Sequence, residues 1–391
     1  MQRIKSPRLI AVASALAATA VLACTAAAPA RTSAHRVLVS DYRLSASTLA
    51  KLRTDFLNQL ASRYPNHTWA PLRFSLSNRD LRLMGLPSKR WLIRHRGHFR
   101  TPTVVYRNGR TVKLAMRSSK HRRSSSSSSG QTTSSGGLVT FAGTGFFGIR
   151  PGAWLLLIGK NSIGWCSMAH VYGTSGAYQI STAGHCGKPG DLATAIGVVG
   201  NRNPVLIDFG TFAVSHDAGL GADWALISIF PQDQPLVTPT MAFWGGPEGM
   251  YTAQGQVVPV TLTGRNPSIG VNPDPKLVQQ IVHYGHGAAI GAGGTPRSAT
   301  AITWASTYFM FFGAISLGDS GSGANTLTGD ALGANRQAAG IITHLWVDPL
   351  MRQGLGIMGG TRATQVQGTL ANGQLLPYPG ARTDPALTSG P

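Results

Sequence analysis

Acidic residues are scarce in this 391-residue chain, which has 14 Asp and Glu against 35 Lys and Arg. The basic excess is confined to one end, because residues 1–136 contain 24 basic and 3 acidic residues whereas residues 137–391 contain 11 of each. The first third is therefore either a basic arm that binds polyanions or a basic pro-segment that is cut off. We expect the pro-segment, with contact to anionic cell-wall polymers through residues 31–123 as the alternative.

Metal-binding and phosphate-binding patterns are also missing. The chain has three cysteines and no His-Glu-x-x-His string, so His283 and His286 have no companion ligands in the sequence. Gly291–Gly294 is not followed by Lys-Ser or Lys-Thr and is not a phosphate-binding loop. We expect neither a metal nor a cofactor.

The start of the chain lacks an apolar run long enough to span a membrane. The apolar stretch Leu9–Ala23 follows a basic start, and it is shorter than the roughly 20 residues that a span needs. Ala28–Ala30 resembles a signal-peptidase site, so residues 1–30 are predicted to be a signal peptide and the protein to be secreted. Val21–Cys24 resembles a bacterial lipobox, and the alternative is a membrane-anchored lipoprotein lipidated at Cys24.

Residues 31–117 are predicted to form a small basic pro-region or targeting arm. Ser45–Tyr64 has apolar residues at helical spacing, and residues 101–115 favour a strand pair around Asn108-Gly109. Residues 118–137 form a Ser-rich linker that cannot build a core. Its basic start is a credible processing site.

Beyond residue 138 no long amphipathic helix is evident. The sequence is rich in Gly, Val, Ile, Leu, Thr and Ala, with short apolar runs separated by glycines and prolines. Many short strands with turn residues between them predict a β-sandwich or barrel. The predicted strands are Ala153–Ile158, Tyr178–Thr182, Trp224–Ile229, Gln256–Thr263, Ala301–Phe311 and Ala338–Thr343.

Three separated strings carry the chemistry. Thr182–Cys186 places a histidine at the end of an apolar strand, and Ala222–Ile227 opens a strand with a carboxylate. Gly318–Gly323 places a serine in a glycine-rich turn. In chain order these give His, Asp and Ser, the order found in chymotrypsin-type proteases and not in subtilisins or α/β-hydrolases.

On these strings, the part from about 140 to about 375 resembles the chymotrypsin/trypsin-like serine proteases of the bacterial secreted type. The resemblance implies an all-β fold of two antiparallel six-stranded β-barrels with the active site between them, preceded by the small basic region. The first barrel is expected at 138–232, the connection at 233–247 and the second barrel at 248–375. Residues 376–391 are expected to be a flexible tail.

The resemblance also implies roles for individual residues. Ser320 is the expected nucleophile, His185 the general base and then acid, and Asp223 the group that orients the imidazole. The backbone N–H groups of Gly318 and Ser320 are expected to form the oxyanion hole. Asp319 is expected to be buried and paired, with a partner that the sequence does not identify.

The resemblance pairs Cys166 with Cys186 in a disulfide, which a secreted protein can keep. It also places Ala314 at the base of the primary specificity pocket, followed along the cleft by Thr343, His344 and Leu345. No Asp or Glu lies between Lys276 and Gly318, so a preference for Lys or Arg is not expected. His344 could instead attract an acidic substrate side chain.

These expectations combine into one function and one rival. The chain is expected to be a monomeric, exported serine endopeptidase that acts on protein or peptide substrates. The rival is a catalytically inactive protein of the same fold that binds partners at the cell surface. A binding protein has no need of an intact triad, and the sequence retains all three of its residues.

Overall fold

A computed structural model describes residues 69–114, 139–140, 146–147, 149–174, 176–199, 203–241, 244, 247, 249–251, 257–258, 280–285, 295–315, 317–328, 335–346, 355–369 and 375. The predicted signal peptide with Cys24, the predicted helix Ser45–Tyr64, the linker 118–137 and the tail 376–391 lie outside these residues. Within the described ranges, no helix combines the length and the apolar character needed to cross a bilayer.

The described chain is built almost entirely of strands. In chain order the elements are β1 (Trp69–Pro71), β2 (Phe74–Ser75), α1 (Asn78–Leu83), α2 (Lys89–Arg94), β3 (Thr103–Val105), β4 (Thr111–Lys113), β5 (Val139–Thr140), β6 (Phe146–Phe147), β7 (Trp154–Ile158), β8 (Ile163–Ser167), β9 (Val171–Tyr172), β10 (Gln179–Thr182), β11 (Leu192–Val199), β12 (Asn203–Asp217), β13 (Asp223–Ile229), β14 (Gly249–Tyr251), β15 (Val257–Val258), β16 (Gln280–Gly285), β17 (Thr295–Trp304), β18 (Tyr308–Ala314), β19 (Gly323–Thr328), β20 (Asn335–Trp346), β21 (Leu355–Arg362) and α3 (Ala363–Thr369).

The first barrel is formed by six neighbouring strands in the order β8-β7-β11-β12-β13-β10. Two backbone bonds complete the circuit just beyond β8, from Ala169 N–H to Ser181 O (2.7 Å) and from Ser181 N–H to His170 O (2.9 Å). The interior is apolar, with Phe209 and Leu226 fully buried in one cluster. Closure removes the free strand edges that an open sheet would present.

The second barrel is a closed ring of six antiparallel strands. Each strand pairs with the next in the order β16-β17-β18-β21-β20-β19, and β19 pairs back with β16. Its buried apolar cluster includes Phe309, Phe311 and Ile342. The two-barrel fold predicted from the sequence is confirmed.

The described part of the basic region, residues 69–114, is packed into this fold. β1 pairs with β20 of the second barrel, whereas β2 and β3 pair with β8 and β12 of the first. Leucines of this region are buried beside tryptophans of β7 and β8 in a cluster of their own. The cluster includes Leu76, Leu81, Leu86, Leu92, Phe99, Trp154, Ile163 and Trp165. The predicted boundary at residues 117–118 is therefore not a boundary of packing for residues 69–114.

Most local predictions match the described strands, whereas the predicted strand Gln256–Thr263 lies outside the described residues except for β15. The strand pair around Asn108-Gly109 is confirmed by β3 and β4, which are antiparallel, and Gly109 has the positive φ (86°) that the turn requires. The single strand predicted over Ala301–Phe311 is wrong, because β17 and β18 form a hairpin there. Its turn, residues 305–307, is Ala-Ser-Thr and contains none of the glycine or proline that would have signalled it.

Candidate active site

His185 sits in a short 3-10 helix, Gly184–Cys186, directly after β10. A side chain at Gly184 would collide with the backbone carbonyl of His216, so the close approach of two chain segments requires glycine here. The next residue, Cys186, forms a disulfide with Cys166 of β8. The histidine is thus anchored by a strand end on one side and a covalent bond on the other.

Asp223 is the first residue of β13 and is fully buried. One of its carboxylate oxygens accepts from the backbone N–H of His185 (3.0 Å), and the other lies 2.6 Å from His185 Nδ1. The Thr361 hydroxyl, on β21 of the second barrel, donates to the backbone carbonyl of Asp223 at 2.8 Å. Both barrels therefore contribute to the position of this carboxylate.

Ser320 lies in the turn that precedes β19. Its Oγ is 2.5 Å from His185 Nε2. The turn is held to both barrels by backbone bonds, from Ser167 N–H to Ser320 O and from Gly321 N–H to Ile342 O, each 2.7 Å long. Ser320, His185 and Asp223 thus form one continuous hydrogen-bonded path, with contributions from three separate parts of the sequence.

Glycines allow this turn to form. Gly318 and Gly321 have φ values of 101° and 85°, a region that residues with a Cβ rarely adopt. A side chain at Gly321 would also collide with the Thr182 hydroxyl and the Ser167 carbonyl. The turn can therefore pack directly against β8 and β10, which brings the serine within reach of the histidine.

The partner of Asp319, which the sequence did not identify, is Arg297 of β17. The two side chains form a buried ion pair, and Arg297 also donates to the Gly285 carbonyl at 3.2 Å. An ion pair out of water is stable only when its remaining hydrogen-bonding groups are also satisfied. The turn before Ser320 is thus held by a residue inside the second barrel.

His344 lies beside Asp223. Its Nδ1 lies 2.8 Å from the Thr343 hydroxyl and 3.5 Å from Asp223 Oδ2. Burial lowers the pKa of His344 below its ordinary value, although the Asp223 carboxylate acts in the opposite direction. No sequence signal places it beside Asp223, since the contact depends on how β20 crosses the end of β13.

The other predicted pocket residues lie on β18 and β20, two strands of the second barrel that both pair with β21. Ala314 is the last residue of β18, and its carbonyl lies 3.3 Å from His283 Nε2. Thr343 and Leu345 are buried on β20. Burial lowers the pKa of His283 to about 3, so its ring is neutral and serves as an internal hydrogen-bond partner.

Two groups of side chains within the described residues have metal-binding spacing. One consists of His185 with Cys166 and Cys186, but these cysteines are joined to each other and offer no thiolate. The other consists of His185, Asp217 and Asp223. In this group His185 Nδ1 and Asp223 Oδ2 are already bonded to each other. Neither group offers a free set of ligands.

No protein-family model matches this sequence, and no curated protein matches it. Solved structures match over more than half of the chain. Protease A of Thermobifida fusca is 21% identical with a TM-score of 0.36, over 59% of this chain and 99% of that protein. A chymotrypsin of Cellulomonas bogoriensis (TM-score 0.33; 59% and 99%) and a Nocardiopsis protease (TM-score 0.33; 58% and 98%) are each 18% identical. The strand pairing itself defines the fold, and in fold this chain is similar to the bacterial chymotrypsin-like serine proteases.

Proposed function

We propose that this chain is an exported serine endopeptidase that hydrolyses peptide bonds through a covalent acyl-enzyme. The observation that carries the proposal is the path from Ser320 Oγ to His185 Nε2 and from His185 Nδ1 to Asp223. A serine hydroxyl is a weak nucleophile by itself and needs a base within hydrogen-bond reach. An imidazole needs a carboxylate behind it to fix its tautomer and stabilise its charged form.

In the proposed reaction, Ser320 Oγ attacks the carbonyl carbon of the substrate while His185 Nε2 accepts its proton. His185 then gives that proton to the leaving amine, which departs and leaves an ester on Ser320. Water attacks the ester with His185 again as base, releases the acid product and restores the serine. Asp223 remains ionised throughout and stabilises the imidazolium formed in each half.

The developing oxyanion needs donors close to Ser320. In the turn, the N–H groups of Gly321 and Ser322 already donate to the carbonyls of Ile342 (2.7 Å) and Asp319 (2.9 Å). We therefore assign the oxyanion hole to the N–H groups of Gly318 and Ser320. Fixed backbone donors of this kind stabilise the transition state without having to reorganise during the reaction.

The proposed substrates have an apolar or small residue before the scissile bond. Ala314, Thr343 and Leu345 offer no charge to a substrate side chain, and the sequence from Lys276 to Gly318 contains no carboxylate. The ring of His344 is engaged with Thr343 and Asp223, which argues against the alternative role as a receptor for acidic side chains.

Export and processing complete the proposal. The signal peptide predicts secretion, with the lipoprotein anchored at Cys24 as the alternative, and the linker 118–137 predicts removal of the basic region up to about residue 120. Because residues 69–114 bury a leucine-rich cluster, a cut in the linker alone leaves this region attached without a covalent bond. A supernatant protein of about 260 residues supports removal, whereas release from cells only by high salt or detergent supports a retained arm or a lipid anchor.

Fluorophosphonate labelling with intact-mass analysis tests the proposed function. The protein is incubated until its mass no longer changes and is then treated with an alkyl fluorophosphonate. One adduct on Ser320 is expected, and Ser320→Ala and His185→Ala are expected to give none. An absent adduct in the unaltered chain would favour the inactive binding protein instead.

A further inference from the structure

The cleft beside Ser320 is occupied by the chain's own residues Trp69–Ser75. One edge of β20 is paired with β19, and this pairing ends at Gly323, opposite Ile341. The Ser320 turn continues along the same edge, where Gly321 N–H donates to Ile342 O. The other edge is covered by β21 as far as Leu345. β1 takes the edge left free by β19, from His344 to Trp346.

Leu72 comes next to the Ser320 turn on this edge. A β-bulge between Ile342 and His344 interrupts the register with β21 at Thr343. A bulge changes the direction of the backbone groups at the bulged residue. The Thr343 carbonyl accepts from Leu72 N–H at 3.0 Å. The backbone of Leu72 and the backbone of Gly321 therefore bond to successive carbonyls of one strand.

The chain then crosses to the first barrel, where β2 pairs with β8. It turns at Leu72, where Arg73 N–H donates to Pro71 O (2.8 Å), and Phe74 pairs with Trp165 immediately before the disulfide cysteine Cys166. Arg73, Phe74 and Ser75 line the same cavity as His185 and Cys186. The peptide bond between Leu72 and Arg73 thus joins a residue bonded to β20 with a residue that lines the cavity containing His185.

Side-chain contacts fix the segment at this crossing. Leu72 is fully buried in the apolar cluster that also contains the predicted pocket residue Leu345 and Ile315, the neighbour of Ala314 in sequence. Arg73 forms an ion pair with Asp217, six residues before Asp223. Leu72 is therefore held by apolar burial, and Arg73 is held by its ion pair.

The reacting groups are closed off from solvent in this arrangement. Ser320 is 0% exposed, and the side chains of His185 and Asp223 are 1% and 0% exposed. A hydrolase acting on added peptides needs its nucleophile within reach of them. An extended segment lying along a free strand edge also occupies the position that a bound peptide takes when it adds a strand to a sheet.

We propose that Trp69–Ser75 is an internal substrate that blocks the cleft of the intact chain and presents the Leu72–Arg73 bond to Ser320. This inference rests on the proposed function. Ser320 Oγ attacks the Leu72 carbonyl carbon, His185 takes the hydroxyl proton, and the C–N bond breaks as His185 protonates the Arg73 amine. Water then hydrolyses the ester, which leaves a carboxylate on Leu72, a new N-terminus at Arg73 and a free Ser320. The cut releases β1 from its tether to β2 and opens the cleft.

Mapping of the chain termini tests the scissile bond. The full-length chain is expected to give a fragment that begins at Arg73, and Ser320→Ala is expected to stay intact at that bond under the same conditions. A chain that hydrolyses added peptides but remains uncut between Leu72 and Arg73 overturns the inference while the proposed function stands. If no form of the chain reacts with an alkyl fluorophosphonate, the proposed function itself fails.

Labelling rates test the block. In the variant Leu72→Asp/Arg73→Asp the apolar contact and the ion pair are both lost, and the still-uncut chain is expected to react with the fluorophosphonate at least about tenfold faster, since one buried leucine is worth a factor of this size. Leu83→Asp, an exposed position on α1 of the same region, is the control and is expected to react at the unaltered rate.

A single surface change keeps the test valid if the double variant does not fold. Arg73→Asp keeps Leu72 and replaces the ion pair with Asp217 by a repulsion between two carboxylates, at a solvent-exposed position. It is expected to speed labelling severalfold. Equal rates for the unaltered chain and for every folded variant overturn the proposed block.

Discussion

Nδ1 of His344 lies 3.5 Å from Oδ2 of Asp223, the same oxygen that is bonded to Nδ1 of His185. The buried carboxylate therefore has an imidazole from each barrel beside it. Only one of these rings contacts Ser320, so the two histidines contribute unequally to the proposed reaction.

This arrangement predicts a graded effect of substitution. His344→Gln removes a neighbour of Asp223 but leaves both bonds to His185, so kcat/KM is expected to fall severalfold, as for the loss of a contact worth about 1 kcal/mol. Asp223→Asn is expected to lower kcat by a factor on the order of 10⁴, because His185 is left in the wrong tautomer. Steady-state kinetics on one peptide measures both, and equal losses would show that His344 has been assigned too small a role.

The ion pair between Arg297 and Asp319 is predicted to be the main support of the Ser320 turn. Arg297→Met leaves the carboxylate of Asp319 buried without its partner, which is expected to lower the free energy of unfolding by about 3–5 kcal/mol. The double variant Arg297→Met/Asp319→Asn is expected to recover part of this loss. Urea unfolding measures these changes, with the exposed Lys113→Met as control; a single variant as stable as the control contradicts this assignment.

Buried histidines predict a pH dependence of stability. Burial lowers the pKa of His170 to about 4, and its Nε2 lies 2.9 Å from the amide oxygen of Asn325. From pH 6.5 down to about 4, the unfolded chain binds a proton at this residue that the folded chain does not. The free energy of unfolding therefore falls as the pH falls, by up to about 1.4 kcal/mol per pH unit for this group.

His170→Gln is expected to remove this share of the slope. His98→Gln, at an exposed position, is the control. Asp233 acts in the opposite direction, because burial raises its pKa to about 7 and its contribution falls as the pH rises, but it is the same in both variants. Unfolding measured from pH 4 to 7 tests the prediction, which fails if His170→Gln and His98→Gln have parallel profiles.

The proposed specificity predicts cleavage after apolar or small residues. Leu72, held beside the predicted pocket residues, is an example of such a residue within the chain itself. A peptide-library profile tests this with the fully processed protein. A profile dominated by Lys or Arg would contradict the proposal, and one dominated by Glu would restore His344 as a receptor for substrate.

The site residues could be predicted because each stands in a short string with its own local requirement. Gly184 and Gly321 are needed where chain segments touch, so the strings around His185 and Ser320 are recognisable without the fold. The barrels could be predicted because the strands are short, apolar and separated by turn residues. These signals are local, and they survive in the sequence alone.

Long-range contacts could not be predicted in this way. Arg297 is 22 residues from Asp319, and the closed second barrel brings them together. His344 is 121 residues from Asp223, and the packing of the second barrel against the first brings this pair together. The position of Leu72 could not be predicted either. In the sequence it is one apolar residue of a basic region, and only the pairing of β1 with β20 places it beside the Ser320 turn. The composition predicted that the basic region is separate from the barrels. In the structure, residues 69–114 pack against both barrels.

The most direct test of the account is the effect of Ser320→Ala on peptide hydrolysis. Both proteins carry Arg73→Asp, which loosens the segment even where Ser320→Ala leaves the bond after Leu72 uncut. The expected loss in kcat is on the order of 10⁶, because a triad without its nucleophile retains only binding and electrostatic effects. A Ser320→Ala protein that kept more than a few per cent of the activity would contradict the assignment of Ser320, and with it the proposed reaction.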